Sequence, residues 1–135
     1  MKRKFVNLLF FAYMTLLFYL LFFSSYRQSV QGVFDYNLIP FTSILRDFNF
    51  SQGFSLRFLT NNLIGNILAF IPFGFFMPLL FHKINTYLKI VISSAVFSLS
   101  IECMQISFRL GAFDIDDIIL NTIGGMLGFC CWEDI

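Results

Sequence analysis

Four apolar runs follow one another along the chain, each interrupted by polar residues at a few definite places. Residues 5–23 (FVNLLFFAYMTLLFYLLFF) hold one strongly polar side chain, Asn7, and no charge. Leu63–Phe81 is uncharged but contains Asn66, Pro72, Gly74 and Pro78. Leu88–Phe108 carries Glu102 and Gln105, and Ile115–Trp132 opens on Asp116-Asp117, contains Asn121 and closes on Trp132, a residue suited to a membrane interface. In hydrocarbon every backbone polar group must be satisfied within its own segment, so runs near 20 residues read as spanning helices. The pattern predicts an all-α integral membrane protein, one domain over residues 1–135, with transmembrane helices over 5–23, 63–81, 88–108 and 115–132. The connection 24–62 is long, with apolar islands at Phe34, Leu38-Ile39-Pro40-Phe41 and Phe54–Leu59 that predict short interfacial helices. Pro72 and Pro78 remove helical hydrogen bonds and predict a kink or break in the second span. Gly124 and Gly128 form a G-x-x-x-G that permits close helix approach.

Composition supports this reading and removes alternatives. Hydrophobic residues make up 58% of the chain and charged residues 13%, about half the charged share of roughly 25% in soluble domains. Water-soluble and disordered chains are excluded. A net charge of +1 gives no concentrated basic face for nucleic acid. Cys103, Cys130 and Cys131 lie in apolar stretches and make no disulfide framework, and a single histidine, His82, cannot build a zinc site. The leader Lys2-Arg3-Lys4 resembles a secretory signal, but a signal's apolar core runs about 7–15 residues before a small-residue cleavage site, and this run is longer and ends in Phe22-Phe23. It reads as a retained first span. The positive-inside bias then places both termini on the cytoplasmic side of the membrane. Five basic residues fall inside (Lys2, Arg3, Lys4, Lys83, Lys89) and four outside (Arg27, Arg46, Arg57, Arg109).

Polar residues within the spans share one level. Glu102 and Asn121 each lie about 9 Å below the same surface at 1.5 Å per residue, and Asn66 lies at a similar depth. Glu102, Gln105 and Arg109 fall on one stripe of the third span; Asp117 and Asn121 are four apart on the fourth, as are Asn62 and Asn66 on the second. Arg109 at one rim is placed to reach Asp114 or Asp116 at the other. A charged carboxylate facing lipid is expensive, so Glu102 is expected to face the bundle, giving a polar cleft open to the outer leaflet. The alternative is that these residues act only as glue between helices, worth about 0.6 kcal/mol each.

Three chemistries compete for such a cleft. No cofactor is called for, although Asp114, Asp116 and Asp117 are oxygen ligands that could hold a divalent cation. A partly desolvated Glu102 could serve as general acid or base on a lipid-linked envelope substrate, with Arg109 clamping an anion, but no activated nucleophile accompanies it. A binding module for an amphiphile, aromatic-walled with a few convergent polar groups, fits best. A structural accessory subunit of an envelope complex is a third reading. The expected partner is a membrane lipid or lipid-linked envelope molecule, and the sequence does not specify an oligomeric state.

Four motifs in order carry a family resemblance: N-L-I-P-F (Asn37–Phe41), N-x-x-x-N-I-x-x-F-x-P-F-G (Asn62–Gly74), I-E-x-x-Q-x-x-x-R (Ile101–Arg109) and D-x-D-D-x-x-x-N-x-x-G-x-x-x-G (Asp114–Gly128). Together they resemble the VanZ-like family of bacterial membrane proteins over about residues 10–130. The resemblance implies a small four-helix membrane domain and a link to resistance against lipoglycopeptides such as teicoplanin, and it adds Asn37 to the candidate ligand-binding residues. It supplies no reaction.

Overall fold

The computed structural model describes residues 2–24, 28, 31–32, 35–47 and 63–135. Helix α1 spans Lys2–Phe18 and continues as a π-helical turn over Tyr19–Phe23; α2 is a short helix at Thr42–Asp47; α3 spans Leu63–Leu80, α4 Tyr87–Ser107 and α5 Ile115–Glu133. All four long helices are long and apolar enough to cross a membrane, and their bounds fall within three residues of the expected spans. The protein is an all-α, multi-pass membrane protein. Helix α2 is a short helix of the kind expected between the first two spans. Asn62, Phe34 and the island Phe54–Leu59 lie outside the described residues. One feature that hydropathy does not predict is a parallel pair of two-residue strands, β1 (Tyr36–Asn37) and β2 (Phe113–Asp114), with Asn37 opposite Asp114.

Helix α5 is the centre of the bundle and α1 its outer member: 44% of the α5 span is buried against 11% of α1. The reason is the distribution of small residues. A methyl group added to Gly74 of α3 would collide with the Gly125 carbonyl of α5, and one on Gly128 with the Ile71 carbonyl of α3. Without a hydrophobic drive between helices in lipid, such backbone-to-backbone approach supplies the dispersion contacts that hold spans together. Helix α4 lies on the other side of α5 and is amphipathic in the inverted sense. Ile90, Ser94, Ser98, Ile101, Glu102 and Gln105 recur at three- and four-residue spacing on its buried face, while Leu88, Ile92, Val96 and Leu99 are exposed. Phe73 and Phe97 stack at 4.8 Å in the core between α3 and α4, with Phe70 and Phe129 fully buried beside them.

The break expected at Pro72 or Pro78 is absent: both prolines lie inside a continuous α3. Neighbouring groups take over freed carbonyls in membrane helices. Pro72 leaves the Leu68 carbonyl without its helical donor, and at the adjacent position the Tyr13 hydroxyl donates to the Ala69 carbonyl at 2.7 Å. This bond and the ring contacts of Phe10 and Tyr13 with Phe76 attach α1 to α3. Tyr13→Phe is expected to lower stability by about 0.6 kcal/mol, the usual worth of one interhelical hydrogen bond in a membrane, with the fold retained. Reversible unfolding in mixed micelles measures the difference, and a loss several times larger would mean that the hydroxyl also props the proline segment.

Candidate functional site

The polar residues meet where α4 hands over to α5, and the handover itself is built from them. Asp114 caps α5, its carboxylate accepting from the Asp116 amide at 3.0 Å. Asp116 and Asp117 occupy the first turn of that helix, where its positive end favours negative charge. The Asp114 amide in turn donates to Glu102 Oε2 at 3.1 Å. A carboxylate near the end of α4 thus receives the first backbone donor before α5.

The connection from the first span closes over this junction. Asp116 accepts three backbone amides, from Phe41 at 2.6 Å, Ser43 at 2.8 Å and Ile44 at 3.1 Å. It caps the short α2 from another part of the chain, satisfying donors that a helix start leaves orphaned. Asp114 accepts from the Asn37 side chain at 3.1 Å and from the Ser43 hydroxyl, and Phe113 donates to the Asp35 carbonyl at 2.9 Å to complete the strand pair. Phe41 sits at φ 67, in the left-handed region, with its ring exposed. The segment turns its polar groups inward onto two aspartates and leaves Tyr36, Leu38, Ile39, Phe41 and Leu45 outward.

Deeper in the bundle the pairs diverge. Asn66 of α3 donates to Asp117 at 2.7 Å, and Asn121 donates to Ser98 at 2.7 Å. Gln105 reaches away from this group altogether and donates to the Leu21 carbonyl at 2.9 Å. That carbonyl lies in the π-helical turn that ends α1, where the last carbonyls have no intrahelical donor. Gln105 Oε1 and Asn121 Oδ1 are buried with no hydrogen-bond partner among the described residues.

The structure therefore brings Asn37, Glu102, Asp114 and Asp116 into one connected network and pairs Asn66 with Asp117 beside it. Asn121 and Gln105 are placed apart from that network. The expected open polar cleft is not seen: Glu102, Gln105, Asp116 and Asn121 are at most 4% exposed. The three aspartates face different donors, and among the described residues no group of three acidic, cysteine or histidine side chains converges as a cation site. The reach expected from Arg109 to Asp114 or Asp116 is also not made, because those carboxylates are occupied by donors from residues 37–44 and Arg109 lies beyond the end of α4.

Arg109 has an unusual place of its own. The Leu110 amide bonds back to the Gln105 carbonyl at 2.8 Å and the Arg109 amide to the Ile106 carbonyl at 3.1 Å. This is the helix-ending pattern in which the residue after the cap adopts a left-handed conformation and is usually glycine. Arg109 occupies that position at φ 54. Its carbonyl accepts from Gly32 at 2.7 Å, and among the described residues its exposed guanidinium makes no hydrogen bond or ion pair.

Sequence reasoning did not single out Ser43 or Ser98. Ser98 lies four residues before Glu102 on the same face of α4, a usable signal. Ser43, directly before Ile44-Leu45, is a residue type suited to a helix start. No local signal marks the Leu21 carbonyl.

The sequence model of the VanZ/LLP1 family matches residues 10–134. Protein VanZ of Enterococcus faecium is 36% identical over 107 residues, an alignment that covers 76% of this chain and 58% of that protein's length. The chain thus spans a little over half of that relative. No solved structure matches the chain. With nearly every residue from the first span to the last covered by the family's sequence model, and the polar junction lying within it, the chain belongs to the VanZ/LLP1 family.

Proposed function

We propose that this protein binds an amphiphilic molecule of the bacterial cell envelope at the outer end of its bundle, and that the relation to Protein VanZ extends to reduced susceptibility to lipoglycopeptides such as teicoplanin. The observation that carries this reading is Arg109: an exposed arginine occupies a left-handed position at which glycine would be less strained. For a residue with a Cβ, that conformation costs about 1 kcal/mol or more. A cation kept there at that cost, next to a rigid frame of buried carboxylates, suits recognition of an anionic head group. Glu102, Asp114, Asp116 and Asn37 are the frame in this reading. Both termini lie in the plasma-membrane cytoplasmic face, which the basic leader Lys2-Arg3-Lys4 supports.

Arg109→Gly separates function from folding. The variant removes the charge and relieves the backbone, so unfolding should show a stability gain of about 1 kcal/mol. Expression of the wild type in a susceptible bacterial host should lower teicoplanin susceptibility, and the variant should lose that effect at equal membrane abundance. Full activity of Arg109→Gly would remove the basis of the proposal. Orientation is read by placing Leu38→Cys in a background without the three native cysteines: labelling by an impermeant reagent on intact cells is expected, and protection would reverse the topology.

A further inference from the structure

We infer that the space between the π-helical turn of α1 and the C-terminal end of α4 is an acyl-chain site that opens sideways into the membrane. This rests on the amphiphile reading above and assigns the tail of the molecule whose head meets Arg109. The cavity measures about 840 Å³, and among the described residues its walls are Phe18, Phe22 and Phe23 from α1 with Met104, Phe108 and Leu110 from the end of α4. Two amides, Gln28 and Gln31, are the polar members of the lining. The volume lies within the range of about 300–1,000 Å³ typical of small-molecule sites.

Two features of the fold make this space. The π-helical turn turns Phe22 inward, where it is buried, and leaves Phe23 outward. The bond from Gln105 to the Leu21 carbonyl then ties α1 to α4 through a polar side chain reaching a backbone atom. Among the described residues the wall carries no charge. Six of the eight described lining residues are apolar, a wall suited to a hydrocarbon chain.

The route of filling follows from exposure. Phe23, Met104 and Phe108 line the cavity and are also 65%, 41% and 63% exposed on the surface that faces lipid. The cavity is therefore continuous with the membrane-facing surface of the bundle. Arg109 stands in the chain between two wall residues, Phe108 and Leu110, and its carbonyl is tied to Gly32 one residue beyond Gln31. A chain entering from the bilayer ends with its head at that cation. The occupant is the single acyl chain of an anionic membrane amphiphile.

The test uses the full chain reconstituted in phosphatidylcholine nanodiscs with a trace of a fatty acid carrying a mid-chain diazirine. Photolabelling followed by peptide mapping is expected to place adducts on Phe22 and Met104, and excess unlabelled palmitate should remove them. Adducts on Leu8 and Leu16, exposed side chains of α1 outside the cavity, should resist competition. Met104→Trp fills the space and should cut the competed labelling several-fold; Leu110→Trp does so from a second position on the same wall, so that one of the two remains usable if the other fails to fold. Labelling spread evenly over α1 and indifferent to palmitate would overturn the acyl-chain site. The head-group reading fails separately: competed labelling at Phe22 and Met104 together with full activity of Arg109→Gly would keep the tail site and discard the role of Arg109.

Discussion

Asp116→Ala is expected to detach residues 37–44 from the end of the bundle while leaving the four spans inserted. One carboxylate accepts the amides of Phe41, Ser43 and Ile44. A buried donor left without its partner costs about 1–3 kcal/mol. Even if water recovers part of that for the two half-buried positions, a loss of about 3 kcal/mol is expected. Asp116→Asn keeps one acceptor oxygen in the same place and should lose roughly half as much. Hydrogen exchange gives the local readout: the amides of Phe41, Ser43 and Ile44 should be protected in the wild type and exchange freely in Asp116→Ala, with protection in α3 and α5 unchanged. Retained protection at those three amides would show that the strand pair and Asp114 hold the segment without the cap.

The second large effect lies at the α3–α5 contact. Gly74→Ala and Gly128→Ala each place a methyl group against backbone atoms, the Gly125 carbonyl in one case and the Ile71 carbonyl and Phe75 amide in the other. Backbone cannot step aside as a side chain can, so each should reach or exceed the upper end of the roughly 1–3 kcal/mol range for overpacking. Together they should prevent accumulation of folded protein. Gly125→Ala is the informative comparison, since its methyl would meet Ser94 Oγ, which can rotate away, and otherwise come no closer than 2.9 Å, to Ser94 Cβ, a marginal approach beside the much closer backbone collisions of the other two. Thermal unfolding in one detergent should rank Gly125→Ala clearly milder than the other two. Equal losses in all three would mean that helix propensity or α4 packing, and not α3–α5 approach, sets the cost.

Both predictions bear on how function is supported. Arg109 and the cavity wall sit at the facing ends of α1 and α4, which the bond from Gln105 to the Leu21 carbonyl ties together. The Glu102 bond joins the end of α4 to the start of α5, and the Asp114 and Asp116 bonds hold the neighbouring 37–44 segment on that junction. A ligand site at the rim of a membrane domain needs such a frame because loops there have little apolar surface to bury against one another.

Depth along the spans puts Asn66, Glu102 and Asn121 at one level, and each is engaged within the bundle. The short turn between the third and fourth spans places Asp114 and Asp116 as rim partners for Arg109, and the structure does not make that contact. In sequence, two aspartates facing an arginine across a short turn look like an ion pair. In the structure their oxygens meet donors 71 to 77 positions away, which local spacing does not encode. Gln105 was read as part of the Glu102 stripe because stripe membership is all that spacing gives. Its actual partner is a carbonyl in the last turn of α1, where helix carbonyls lack intrahelical donors, and spacing within α4 does not say which segment supplies it.

The sequence by itself determined the number of spans, their bounds to within three residues, the inward face of α4 and the close packing allowed by Gly124 and Gly128. These follow from transfer free energy and helical period, properties summed over neighbours in the chain. Only the tertiary structure decided that the aspartates are caps and clamps, that the polar level is sealed, that Arg109 ends a helix in a left-handed turn, and that a cavity lies beside it. Each of these depends on which segment arrives opposite a given group. That is fixed by packing among α1, α3, α4 and α5, and hydropathy along the chain is blind to it.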